Sequence, residues 1–316
     1  MNDTLRLFRF DEKSPLLQLI ISLGIIIGVG VFLFSALILA GILIFHVDPS
    51  SLENPYVVSG EQDLTFLRYI VIVQDVSIFI VPSVIILILL SPVGSLRLQI
   101  GEAPPAKEII FVIILTFCLF PVNSFTGQLN SMMHLPDWLS GVEKWMMKKE
   151  DDIGDLVNLL IDTKTFGVMI LNLIIIAIIP AIGEELLFRG VFQKISYKLF
   201  RSGHIAVWVT GFFFSAIHFQ FYGFIPRFIL GLTFGYLFLW SRTLWLPIIS
   251  HFINNAVPVV GAYVQNWDKI NTHSEIDLGK QLIFLPLPVI IIMVILFYFR
   301  NKFREETGNR GIINQI

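Results

Sequence analysis

From Leu17 to Phe45 the chain carries no charged residue, and apolar stretches recur from there to Phe299. Nothing constrains the fold more. A helix needs about 20 apolar residues to cross a bilayer. Backbone in lipid must also satisfy its own hydrogen bonds, which a helix does. About eight such spans can be drawn on this criterion: Leu17–Phe45, Leu67–Leu90, Glu108–Phe125, Phe166–Phe192, Ile205–Phe221, Ile225–Trp240, Leu244–Tyr263 and Leu282–Phe299. Composition agrees, with 55% hydrophobic and 15% charged residues, where a soluble domain has about 45–50% and ~25%. The expected fold is an all-α membrane protein, a single polytopic domain over residues 1–316, with a polar cavity inside the bundle.

The remaining features refine this picture. A net charge of −2 gives no sign of nucleic acid as a partner, and the single cysteine, Cys118, excludes a disulfide within the chain. Arg6, Arg9 and Lys13 precede the first apolar run, which is far longer than a signal-peptide core. It reads as a retained span. Lysine and arginine gather at the N-terminus, in the connections after the second and fourth spans, and behind the eighth. The positive-inside rule then puts both termini in the cytoplasm of a cell whose plasma membrane the chain crosses. Trp138–Met147 mixes tryptophans with Glu143 and Lys144 and reads as a helix lying at the membrane surface. The acids Glu150, Asp151, Asp152 and Asp155 read as its solvated face. Gly24-xxx-Gly28 and Gly231-xxx-Gly235 allow helices to approach closely.

Charged groups inside such spans are expensive and generally functional. The fourth span ends in Glu184, Glu185 and Arg189. Glu185 and Arg189, four apart, share a helix face and can pair, whereas Glu184 lies about 100° around and faces elsewhere. Pro180 loosens the helix just ahead of them. His218 closes the fifth span, and His251 shares a face of the seventh with Asn255, and with Asn254 close by. In the second span Gln74 and Asp75 stand well inside, and Asp75 reads foremost as a structural hydrogen-bonder. If the fourth, fifth and seventh spans converge, a carboxylate, two imidazoles and an amide meet inside the bilayer. A carboxylate with an imidazole can activate water, and an imidazole with an amide can hold an oxyanion. Glu184, His218 and His251 would equally make a zinc trio, though no His-Glu-x-x-His is present.

Glu184-Glu185-x-x-x-Arg189, Phe214-x-x-x-His218 and His251-x-x-x-Asn255, in this order, resemble the CPBP family of intramembrane proteases, which comprises the type II CAAX prenyl endopeptidases and the bacterial Abi or bacteriocin-immunity proteins. The resemblance covers Met169–Ala262. It implies an intramembrane endopeptidase in which Glu184 and His218 activate water, His251 and Asn255 hold the oxyanion, and Glu185 and Arg189 position the site. It implies no metal cofactor, with zinc on Glu184, His218 and His251 as the alternative. Its substrate would be a membrane-associated peptide or a lipid-modified protein, such as a prenylated CAAX protein, met among membrane lipids; the short loops look bacterial. On this reading the Glu184 carboxylate and the His218 ring lie within one hydrogen bond or one bridging water. Two other readings stay open: a non-catalytic immunity or scaffold protein of the same fold, and a transporter using Asp75 and Glu184 as a proton or ion path.

Overall fold

Ser14 accepts a hydrogen bond from the Leu17 N–H and Pro15 follows it, so the first helix has both a cap and a preset first turn. This helix, α1 (Pro15–Phe45), runs unbroken. In the computed structural model, residues 13–47, 61–90, 103–161, 165–265 and 278–308 are described, and all regular structure among them is helical. The basic N-terminal residues Arg6 and Arg9, most of the connections on either side of the second span, and the last residues of the chain lie outside the described residues. Then come α2 (61–90), α3 (Ala106–Ser131), α4 (Ser140–Ile161), α5 (Phe166–Phe200), α6 (Gly203–Ala216), α7 (Phe224–Ser241), α8 (Trp245–Gln265), α9 (Leu278–Phe284) and α10 (Pro286–Gly308).

Six of these, α1, α2, α3, α5, α7 and α10, are long and apolar enough to cross a membrane. Helix α6 is apolar but shorter, and α8 carries His251, Asn254 and Asn255. Little of α1 or of the last span is buried in the bundle. Val31, Phe32, Leu39, Ile290, Met293 and Val294 all stand mostly exposed on these two helices. A belt of this kind is stable against lipid rather than water. The chain is an all-α membrane protein.

Helix α5 is the central element, packed between α2 and α8 and continued onto α6. It is not uniformly α-helical. Wider π turns occupy Leu173–Ile178 and Leu186–Phe192, on either side of Ile179–Glu185. The first lies directly ahead of Pro180, where the ring displaces the normal helical hydrogen bond, and it loosens the helix without breaking it. Such turns are frequent at functional sites because they rotate the following side chains relative to a regular helix.

Helices α6 and α7 make the most extensive contact in the bundle. A Cβ added to Gly231 would stand 3.0 Å from Gly211 Cα and 3.1 Å from its carbonyl oxygen. Backbone cannot give way as a side-chain tip can. We therefore expect Gly231→Ala to destabilise the protein by about 1–3 kcal/mol, the usual penalty of overpacking. Gly24 and Gly28 instead have open space around them, with nothing within 4 Å of where an added Cβ would stand, so α1 packs through Gly30 against the Ser77 carbonyl. Gly28→Ala is the matched control, and thermal melts in detergent should separate the two variants.

Three of the boundaries that differ from the sequence reading bear on the site. Helix α3 continues through Pro121 to Ser131, because a membrane helix tolerates proline where its neighbours support it. Helix α4 is twice as long as the aromatic stretch suggests. Its Glu150 is also not part of a solvated face: it accepts from Gln220 Nε2 at 3.2 Å, while Asp151 and Asp155 are exposed as expected. Helix α6 stops at Ala216, five residues early. The His218 side chain takes the Phe214 carbonyl and Phe219 adopts φ 52°, so the last turn is capped and reversed.

Candidate functional site

Glu185 and Arg189 are wholly buried, and the Arg189 guanidinium donates to Glu185 Oε1 at 3.0 Å. Its second arm donates to the Gly231 carbonyl at 2.9 Å. One turn on, Gln193 donates to the Gly235 carbonyl, also at 2.9 Å. Two residues four apart on α5 thus grip two glycines four apart on α7, whose missing side chains leave the carbonyls within reach. Arg189 lies over the rings of Phe214 and Phe234, 4.7 and 5.5 Å from their centroids. Cation–π contact offsets part of its lost hydration there.

The same Glu185 oxygen binds His251 Nδ1 at 3.0 Å. A carboxylate paired with arginine can only accept, so Nδ1 carries the proton and Nε2 is left facing the site. Phe234 stacks on the His251 ring at 5.1 Å and Phe214 meets it edge-on at 5.8 Å, which fixes its plane. His251 Nε2 then stands 4.0 Å from Glu184 Oε2. Glu184 is buried, and that oxygen has no hydrogen-bond partner.

His218 follows α6 in a turn. Its Nδ1 donates to the Phe214 carbonyl at 2.8 Å, which frees Nε2 as an acceptor. No hydrogen bond joins the ring to Glu184, whereas His251 Nε2 stands 4.0 Å from that carboxylate. The turn itself is held at several points. Ser215 Oγ donates to the Phe224 carbonyl at 2.7 Å, and Asn130 of α3 receives the Ile225 N–H at 2.8 Å. Gln220 bridges Glu150 of α4 and Arg227 of α7, and Tyr222 donates to Glu143 of α4 at 3.2 Å. The surface helix α4 is therefore tied to the turn that carries His218. Glu143 lies below the usual carboxylate range, chiefly because His134 hydrogen-bonds it.

Asn255 Nδ2 donates to the Ile176 carbonyl at 3.3 Å, and its oxygen receives Asn254 at 3.1 Å. Ile176 is four residues before Pro180, so its carbonyl is the one that loses a regular helical donor to the proline. Asn255 supplies the replacement and joins α8 to α5 at the loosened turn. One Nδ2 proton remains for another acceptor. Among the described residues no group of three His, Cys, Asp or Glu side chains is drawn together closely enough to hold a metal ion. Sequence reasoning does not single out Gln193. An amide one helical turn beyond Arg189, opposite Gly235, is the signal that could have found it.

Residues 166–257 match the family model described as type II CAAX prenyl endopeptidase Rce1-like. The resemblance read from the three motifs is shown over that region, an Rce1-like segment within a larger membrane-spanning bundle. Uncharacterized protein YpbD of Bacillus subtilis (strain 168) is 31% identical over 90 residues, covering 27% of this chain and 43% of that relative. The chain thus matches less than half the length of the curated relative. No solved structure matches the chain.

Proposed function

We propose that the chain is an intramembrane endopeptidase that hydrolyses a peptide bond in a membrane-associated substrate, with prenylated CAAX-type proteins the first class to test. One observation carries the reading. Glu184 presents a buried, unpartnered carboxylate oxygen 4.0 Å from an imidazole that a second carboxylate holds in place. Glu184 takes a proton from water, with His218 Nε2 orienting that water. His251 and Asn255 hydrogen-bond the oxygen of the tetrahedral intermediate. For His251 this requires the second ring proton, a form stabilised by a carboxylate at Nδ1. Glu185 and Arg189 position His251. The rings of Phe214 and Phe234 keep the site dry, which strengthens each of these contacts.

The test is cleavage of quenched peptides by purified protein, with and without a farnesyl-cysteine, each repeated with a chelator. Cleavage that depends on Glu184 and ignores the chelator is expected. Loss on chelation with recovery on adding zinc would replace the mechanism with a metal-dependent one. A well-folded protein that cuts neither lipidated nor plain peptides would sink the peptidase reading for these substrate classes.

A further inference from the structure

Two asparagines follow one another on α8, and only the second belongs to the three motifs. Asn255, four residues beyond His251, shares its face of the helix. Asn254 sits about 100° away around the helix, yet it reaches across and donates from Nδ2 to Asn255 Oδ1 at 3.1 Å. Asn255 donates in turn from Nδ2 to the Ile176 carbonyl at 3.3 Å. That carbonyl points along α5 toward Pro180, whose nitrogen has no proton to give it. Pro180 and Glu184 are four apart in the regular stretch Ile179–Glu185 and share one face. The Asn255 amide is therefore tied down on the side of α5 that carries Glu184, about one helical turn away.

The polarity of these contacts has one solution. A carbonyl only accepts, so the Asn255 atom that meets Ile176 is the amide nitrogen, and its oxygen faces Asn254. Turning the amide over would set two oxygens against each other at Ile176 and break the bond from Asn254. The two contacts together fix the plane of the amide and leave its second Nδ2 proton one direction. A reversed amide would offer an oxygen where a developing oxyanion needs a donor. The bond from Asn254 lies within α8 and joins no two helices. It adds little to the bundle, and what it holds is the Asn255 amide.

We propose that Asn254 is a positioning residue: it holds the Asn255 amide so that an N–H, and not an oxygen, meets the peptide oxygen as that oxygen becomes negative. Its use in catalysis rests on the endopeptidase reading, in which Asn255 holds the oxyanion; the hold on the amide does not. The adjacent asparagines then have separate tasks. Asn255 touches the reacting oxygen, and Asn254 acts only through Asn255. Its effect is confined to the transition state, where the charge develops, so it falls on kcat and not on KM.

A double-variant cycle on the purified full chain tests this, with peptide cleavage and a thermal melt of each preparation. Asn254→Leu keeps the bulk of the side chain and removes the donor; Asn254→Ala takes its place if Leu does not fold. Either should lower kcat about tenfold, the worth of one hydrogen bond, and leave KM and the melting temperature unchanged. Binding of a phosphinate peptide, whose tetrahedral anion resembles the intermediate, should weaken by the same factor. Asn255→Leu should lower kcat about a hundredfold, and adding Asn254→Leu to it should cost nothing more, because the amide to be held is gone. An intact kcat in Asn254→Leu, or a penalty that persists in the double variant, overturns the proposal. Side-chain amide NMR of the asparagine-labelled chain in lipid nanodiscs reads the hold without substrate. Asn254→Leu should shift the Asn255 Nδ2 resonances and speed their exchange with water; resonances that stay in place overturn the proposal, and this spectrum decides if Asn255→Leu does not fold. Wild-type cleavage by Asn255→Leu removes the oxyanion role and the proposal with it, while a Glu184-dependent peptidase stands. Shifted resonances in a protein that cuts no peptide support the hold and remove the peptidase reading.

Discussion

Glu184→Gln lowers peptide cleavage by about a thousandfold, within the range for losing a general base, and leaves the melting temperature unchanged or higher. The two halves of this expectation come from the same observation. Glu184 Oε2 has no hydrogen-bond partner and its nearest imidazole nitrogen is 4.0 Å away, so little holds the fold together through it. Burying a carboxylate without a bonded partner is unfavourable. Glutamine keeps the shape and removes the charge. Gains in stability on removing a catalytic group are the usual sign that a site was built for chemistry rather than for folding. The measurement is a cleavage rate for a fluorogenic peptide alongside a thermal melt of the same preparation. Undiminished cleavage would remove Glu184 as the base. A collapse of the melt with cleavage would assign it a structural role.

The bundle could be read from the sequence because a bilayer imposes length and polarity together. Each apolar stretch maps onto a helix, and the charged residues inside them mark the interior. What was not legible depended on contacts between helices. Periodicity extends α6 through His218, but a side-chain cap on the Phe214 carbonyl ends it first. Gly24 and Gly28 have the spacing of a packing motif, yet nothing in the sequence says which face of α1 meets α2, and it is Gly30 that does. The pairing of Glu185 with Arg189 follows from a four-residue interval. Its bond to His251 joins residues 66 positions apart and could not be read that way. Asp75 stands inside an apolar span, where an acid signals function, and it is buried with Oδ2 unpartnered. The candidate site is therefore an assembly of three motifs on α5, α6 and α8, and the contacts between those motifs are the part that tertiary packing supplies.

Arg189→Ala should show the opposite of Glu184→Gln, destabilising the protein by about 3–5 kcal/mol, the range for breaking a buried ion pair, with a matching loss of folded material in detergent. Arg189 is fully buried, and its removal strands Glu185 at zero exposure with only His251 bonded to it. It also removes the side-chain donor to the Gly231 carbonyl and opens a void among Phe188, Phe214 and Phe234. Glu185→Ala should be similarly harmful, since it leaves the buried guanidinium unpaired. Replacing both partners with apolar residues of similar size, Glu185→Leu with Arg189→Met, removes both stranded charges together, and such exchanges are often neutral for stability. The double variant should therefore recover much of the melting temperature. It should not recover cleavage, because Leu at 185 cannot hold His251 Nδ1 and the ring loses the partner that orients Nε2 toward Glu184. Rescue of the fold without rescue of activity separates the two tasks of Glu185, one toward Arg189 and one toward His251. If the double variant cleaves at the wild-type rate, Glu185 serves the fold alone and His251 is oriented by the Phe214 and Phe234 rings.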